Sequence, residues 1–186
     1  MRLTPVLVAL LASFTQAAPA TVKAAVATDV NAACAVQPSG VAMTPKTDTA
    51  AAFTAYSGFR KAAVTASYPS GYLISFSGNT KAVSFANYMT YFTLTSYNPQ
   101  TCADYCSNTY GCTSFNIFFE RSPSLNPAAA CPNPPSISTV KCSLFSSRVS
   151  EQVATNAGQW RGPFSGANVA QNFQVVIAGS NGYNKV

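Results

Sequence analysis

Three of the chain's six cysteines crowd into the stretch TCADYCSNTYGCTSF, as Cys102, Cys106 and Cys112. On a helix, residues four apart share a face, so Cys102 and Cys106 could chelate a metal if both were thiolates. A zinc ribbon would use CxxC knuckles, and so would a thioredoxin-like redox site; the chain has neither. The third use of such cysteines is a disulfide framework. Histidine is absent, which excludes a Ser-His-Asp triad, a Cys-His dyad, a His general base and any His-ligated metal. The carboxylates are Asp29, Asp48, Asp104, Glu120 and Glu151. A glycosidase needs two of these flanking one bond, and nothing in the sequence brings two together. There is no Gly-rich phosphate loop. The expectation is no catalytic residue, no metal site and no cofactor.

The compartment favours disulfides. MRLTPVLVALLASFTQAAPA opens with Arg2, runs through an apolar core from Leu3 to Phe14, and closes on small residues. This is the grammar of a secretory signal peptide over 1–17, with Thr15 at the −3 position. The run is too short to span a bilayer, and no later segment suits one. A secreted chain, extracellular or cell-wall associated and without stable membrane insertion, is expected to oxidise its cysteines. The formal charge is +6, and loss of Arg2 would lower it by one. The basic residues are scattered, with only Arg60 and Lys61 adjacent. Nucleic acid is therefore not an expected partner. A weak attraction to acidic polymers or membrane surfaces outside the cell is compatible with the charge.

The elements that must position these residues follow from pattern. Residues 18–33 are Ala-rich and lack bulky side chains, so they read as a flexible tail; residues 34–186 read as one domain with an N-terminal extension. Asp48 or Thr49 can cap a helix from Ala50 to Tyr56. YLISF alternates, with Tyr72, Ile74 and Phe76 on one side. MTYFTLTSY alternates likewise, with Phe92 and Leu94 opposing Tyr91 and Thr93. Asn98 suits an N-cap and Pro99 suits N1 of a helix bearing Cys102, Tyr105 and Cys106 on one core-facing side. Gly111 is expected to close it. In CTSFNIFFER, Phe115, Ile117 and Phe119 oppose Asn116, Phe118 and Glu120. KCSLFSSRV sets Cys142 and Leu144 against Phe145, and FQVVIAG sets Phe173, Val175 and Ile177 against Val176. Large apolar residues on both sides predict a sheet covered on both faces. One helix would cover the first face, and the segment from Cys34 to Tyr68 the second. SPSLNPAAACPNPPSISTV, with five prolines, reads as a long surface loop carrying Cys131.

NPQTCADYCSNTYGCTSFNIFFE followed by KCSLF resembles the PAN/Apple module. That module has a helix with two cysteines four apart, a third before an aromatic strand, and a fourth on the next strand before Leu. The stretches CAVQPSG, FNIFFERSPS, CPNP, ATNAGQWR and IAGSNGYNK are similar to secreted, cysteine-rich PAN/Apple-like proteins of filamentous fungi. The resemblance runs from Cys34 to the C-terminus. It implies an α+β fold in which an antiparallel β-sheet packs on one short helix. It also implies the pairs Cys102–Cys142 and Cys106–Cys112, leaving Cys34 with Cys131 as an addition to the basic pattern. The long loop departs from a compact module.

Such modules are non-catalytic, so the resemblance implies recognition of an extracellular polysaccharide or protein. The main reading is a module that binds cell-wall glycan; the alternative is a small secreted effector or surface-coat protein with a protein partner. Candidate ligand residues are Trp160 and Arg161 in NAGQWRG, Tyr110 past the helix end, and Asn181 and Tyr183 in the terminal GSNGYNKV. The same terminal stretch also reads as a plain Asn-Gly turn. Glu120 is expected to pair with Arg148 or Arg161 across strands.

Overall fold

Ten residues, Ser114–Pro123, form the strand on which the domain is organised, here β3. Phe115, Ile117 and Phe119 are almost wholly buried on one face, while Phe118 is buried on the other. Such a strand needs neighbours on both edges and cover on both faces. A computed structural model describes residues 29–41, 43–163 and 172–186. The expected signal peptide and residues 18–28 of the expected tail lie outside the described residues. The fold is α+β, with a five-stranded antiparallel sheet in the order β1-β7-β3-β4-β2. Its strands are β1 (Tyr72–Asn79), β2 (Tyr88–Leu94), β3, β4 (Ser136–Phe145) and β7 (Ile177–Lys185). A separate two-stranded ribbon pairs β5 (Trp160–Arg161) with β6 (Phe173–Gln174). Strands β3 and β4 pair without a break from Ser114↔Phe145 to Pro123↔Ser136.

The first face carries the main core and three helices: α1 (Ala50–Ala55), α2 (Ser57–Val64) and α3 (Pro99–Ser107). Helix α3 begins as its sequence requires. The Asn98 carboxamide accepts from the Gln100 and Thr101 amides at 2.9 and 3.3 Å, and Pro99 occupies N1. Its far end differs from expectation. Asn108 stops the helix, its Nδ2 donating to the Asp104 carbonyl at 2.9 Å, and Gly111 lies in the turn beyond. Tyr105 is not core-facing; it is partly exposed and stacks on Phe92 with ring centroids 4.0 Å apart. At the start of α1, Thr49 supplies the cap, its Oγ1 accepting from Ala52 N at 3.1 Å.

The segment expected to cover the second face divides between both. Residues 34–37 run beside the Pro-rich loop, with Val36 bridged to Leu125. Val41 then bridges Ser138 on β4, beyond the point where β2 ends opposite Val140. Helices α1 and α2 follow on the first face, not the second. Their Phe53 and Phe59 rings meet in a tilted contact with centroids 4.4 Å apart, and Phe59 meets Phe119 at 4.5 Å. Two buried aromatic rings pull these helices to the larger apolar surface. Gly179 makes room: its φ is +57°, and a Cβ there would lie 2.6 Å from the Phe59 carbonyl oxygen.

A smaller core occupies the second face, with Phe76, Val83, Phe145, Val149 and Ala154 together and Ala82, Phe118 and Ile177 beside them. Phe76 belongs here, not with Tyr72 and Ile74 as strict alternation predicts. A bulge between Ile74 and Phe76 in the pairing with β7 flips it.

Three disulfides join Cys34 to Cys131, Cys102 to Cys142, and Cys106 to Cys112, and no cysteine is free. None of the six is therefore a thiolate ligand. Cys102–Cys142 fastens α3 to β4, and Cys106–Cys112 closes the turn leading into β3.

One ion pair ties the start of α1 to the sheet. Arg121 is buried, donates to Asp48 at 2.7 Å and to the Gln174 carbonyl at 2.8 Å, and lies 4.2 Å over the Phe173 ring. Asp48 also accepts from Ser136 N and Oγ. Partial burial opposes the Asp48 charge, but the Ser136 hydrogen bonds and then Arg121 outweigh it and hold the carboxyl below its ordinary range. A carboxyl depressed in the folded state binds protons more readily when unfolded. Its contribution is therefore full above the ordinary carboxylate pKa of about 4 and is lost as pH falls through the lower, folded value. Thermal melts should show Asp48→Asn losing stability near neutrality and falling less steeply than the wild type below about pH 4. Parallel acid profiles for the two proteins would refute this role.

Candidate functional site: a polar cleft on the second sheet face

The alternation that buries Val140, Cys142 and Leu144 on the first face sends Thr139, Lys141 and Ser143 to the second. On β3 it sends Phe118, Glu120 and Ser122 the same way, and on β2 Tyr91 and Thr93. The register sets these in rows: Thr93 beside Lys141 beside Phe118, and Thr139 beside Glu120. These residues floor an open cleft of about 460 Å³, within the usual range for ligand sites. Val30, Asn31, Gln37 and Pro38 of the N-terminal segment contribute to its lining, as do Asn156, Gln159 and Arg161 from beyond β4.

The two walls are held by different means. Cys34–Cys131 fixes the N-terminal wall to the Pro-rich loop. Backbone hydrogen bonds from Cys34 to Asn126 and from Gln37 to Ser124, at 3.0 and 2.9 Å, add to it. The other wall hangs on a bridge between Asn156 and Ala82 and on paired bonds between Gln159 and Val175. Asn126 links the walls. Its Nδ2 donates to the carbonyls of Asn31 and Ala32 at 2.8 and 3.1 Å, and its Oδ1 accepts from Arg161 Nη2 at 3.1 Å.

Charge within the cleft is sparse and mixed. Lys141 donates to Thr93 Oγ1 at 3.0 Å and lies 4.6 Å over the Tyr91 ring. Glu120 accepts from Ser122 Oγ at 2.7 Å. Ser122 and Thr139 share a further hydrogen bond of 2.8 Å. Glu120 does not pair with Arg148 or Arg161. Ser122, two residues on and on the same face, reaches its carboxylate. Arg161 turns to Asn126, and Arg148 donates to the Lys185 carbonyl at 3.3 Å. The one ion pair among the described residues is Arg121–Asp48.

No family model, curated protein or solved structure matches this chain.

Of the ligand residues suggested by the sequence, Arg161 lines the cleft. Trp160, its neighbour on β5, is partly exposed and is not among the lining residues. Tyr110 is fully exposed in the turn after α3, likewise outside the cleft. Asn181 and Tyr183 are fully buried and cannot form a surface patch. GSNGYNK is not a terminal turn but most of β7, hydrogen-bonded between β1 and β3. Asn181 Nδ2 donates to the Ala63 carbonyl and to the Tyr183 hydroxyl, and its Oδ1 accepts from Gly78 N. Burial pushes the Tyr183 hydroxyl above its ordinary range, against the opposing effect of the Asn181 hydrogen bond.

Sequence reasoning missed Tyr91, Thr93, Lys141, Asn156 and Gln159 as cleft residues. For Thr93 and Lys141 a signal was present, because TLTSY and STVKCSLF alternate polar with apolar. The wall residues carry no such local signal.

Proposed function

We propose that the chain is a secreted, non-catalytic recognition module of PAN/Apple type that binds an extracellular glycan in the cleft on the second sheet face. The observation that carries this reading is the lining. Hydroxyls and a lysine and a glutamate on the sheet floor, and carboxamides and an arginine on the walls, surround the exposed Tyr91, with the buried Phe118 beneath. Sugars present closely spaced hydroxyls around a partly apolar ring, and so need donors, acceptors and an aromatic surface together. A drug-like apolar ligand would favour a predominantly apolar lining instead. The non-catalytic part of the reading rests on the acids. Glu120 is the one carboxylate among the described lining residues, whereas glycoside hydrolysis of the usual kind employs two.

The test is retention of the oxidised domain on insoluble cell-wall polysaccharides together with a glycan array. We expect selective retention. Tyr91→Ala should weaken it about tenfold, equivalent to ~1.4 kcal/mol. Tyr110→Ala, outside the cleft, should leave affinity within about twofold by the same arithmetic. Retention on no glycan, with saturable binding to a protein partner instead, would overturn the proposal. So would full affinity in Tyr91→Ala.

A further inference from the structure

Lys141 and Arg161 both line the cleft, yet among the described residues each has only neutral partners. Lys141 has the Thr93 hydroxyl and the Tyr91 ring; Arg161 has the Asn126 carboxamide. Arg161 is partly buried, so water serves its remaining donors less fully than at an open surface. The nearby carboxylate does not neutralise either. Glu120 stands diagonal to Lys141, since Lys141 pairs with Phe118 and Glu120 with Thr139. It accepts from Ser122 and forms no ion pair. Among the described residues the cleft thus offers two cations without an ion-pair partner and one anion, Glu120, which already accepts from Ser122.

We infer that the glycan bound here is acidic, a chain of uronic-acid sugars bearing carboxylates, which Lys141 and Arg161 receive. This rests on the glycan reading above and adds the chemical class of ligand. A carboxylate presents two coplanar oxygens, which the planar guanidinium fork of Arg161 matches better than water or a lone hydroxyl does. Lys141 adds a point charge on the floor. Glu120 sets the limit: it leaves the cleft with one net positive charge. That suits a polymer of modest charge density and works against a densely charged one, whose anions would be forced close to Glu120. The excess of basic over acidic residues in the whole chain draws an acidic polymer toward the surface.

The experiment compares hexamers of galacturonate, glucuronate and mannuronate with the same hexamers after reduction of each carboxylate to the alcohol, by titration calorimetry on the oxidised domain. At least one acidic hexamer should bind at least about tenfold more tightly than its reduced counterpart. Lys141→Gln and Arg161→Gln should each remove about tenfold of affinity for the acidic form and cost the reduced form clearly less, since a neutral hydroxyl loses only an uncharged contact. Glu120→Gln should act in the opposite direction and tighten acidic binding. Unchanged melting temperatures would show that each variant is folded. Equal affinity for acidic and reduced hexamers would overturn the inference while leaving the glycan reading intact. Acidic binding untouched by both cation variants would also overturn it. If no acidic hexamer, reduced hexamer or neutral polysaccharide binds, the inference and the glycan reading fall together.

Discussion

Asn181→Ala should destabilise the domain by about 2–5 kcal/mol, on the basis of ~1–3 kcal/mol for each buried polar group left without a partner. The carboxamide makes hydrogen bonds of 2.9 Å from Gly78 N, 2.8 Å to the Ala63 carbonyl and 3.1 Å to the Tyr183 hydroxyl. Two of these partners depend on it for reasons set by the fold. Between Phe76 and Asn79 the β1–β7 register shifts, so Gly78 N loses its place in the ladder. Ala63 lies near the C-terminus of α2, where its carbonyl accepts a long bond of 3.4 Å from Ala66 N in place of a regular intrahelical partner. One side chain therefore supplies what a bulge leaves open and strengthens what a helix end satisfies only weakly. The loss would be a large share of the ~5–15 kcal/mol by which single domains are stable. Urea unfolding of the oxidised protein measures it, and glycan affinity of the folded fraction should not change. A destabilisation below about 0.5 kcal/mol, the usual ceiling for inert surface changes, together with lost glycan binding, would return Asn181 to the role of ligand residue.

Two more asparagines work the same way, Asn116 on β3 and Asn184 on β7, and the pair Asn181 and Asn184 explains why the C-terminal strand was illegible in the sequence. Asn116 Oδ1 accepts from Val83 N at 2.8 Å, and Asn184 both accepts from Val149 N and donates to its carbonyl, at 2.7 and 2.9 Å. Glycine and asparagine are turn-formers by local preference. In GSNGYNK the tertiary context overrides that preference, because the segment fills a slot between β1 and β3 and its asparagines bond to passing backbone. By contrast, Asn98–Pro99 opens α3 through contacts within three residues, and β3 and β4 carry large apolar residues at strand spacing on both sides, so those elements were readable. Helix α2 was not readable. SGFRKAAV carries few large apolar residues, and the helix is held by Phe59 on Phe119, a contact across sixty positions of sequence. The cleft divides in the same way. Its floor was legible in the polar positions of STVKCSLF, but its walls are remote segments brought together by Asn126 and a disulfide.

Loss of the Cys34–Cys131 bond, by the double change Cys34→Ser and Cys131→Ser, should abolish most glycan binding while the sheet and its helices stay folded. The bond spans 97 residues of sequence, a closure that a chain-entropy model places near ~4.7 kcal/mol. That stabilisation is felt where the bonded segment is otherwise weakly held. Beyond Cys34 the N-terminal wall has a few backbone hydrogen bonds to 124–126 and little apolar burial, with Val36 largely exposed. Without the bond the wall should detach locally, as weakly packed segments do. The cleft then loses Val30, Asn31, Gln37 and Pro38 at once, and Asn126 loses its acceptors at Asn31 and Ala32, freeing the group that orients Arg161. A fall in affinity of at least about tenfold, ~1.4 kcal/mol, is expected, with amide exchange of β3 and β4 still slow. Removing Cys102–Cys142 should act differently. Both residues are fully buried between α3 and β4, so the cost falls on the core, at about 2–5 kcal/mol. Cys34 and Cys131 are partly exposed while the other four cysteines are buried. Mild reductant should therefore open the wall's disulfide first, and binding should fall in step with alkylation of those two thiols. Full affinity in a folded protein lacking the bond would show that the N-terminal wall makes no part of the binding site.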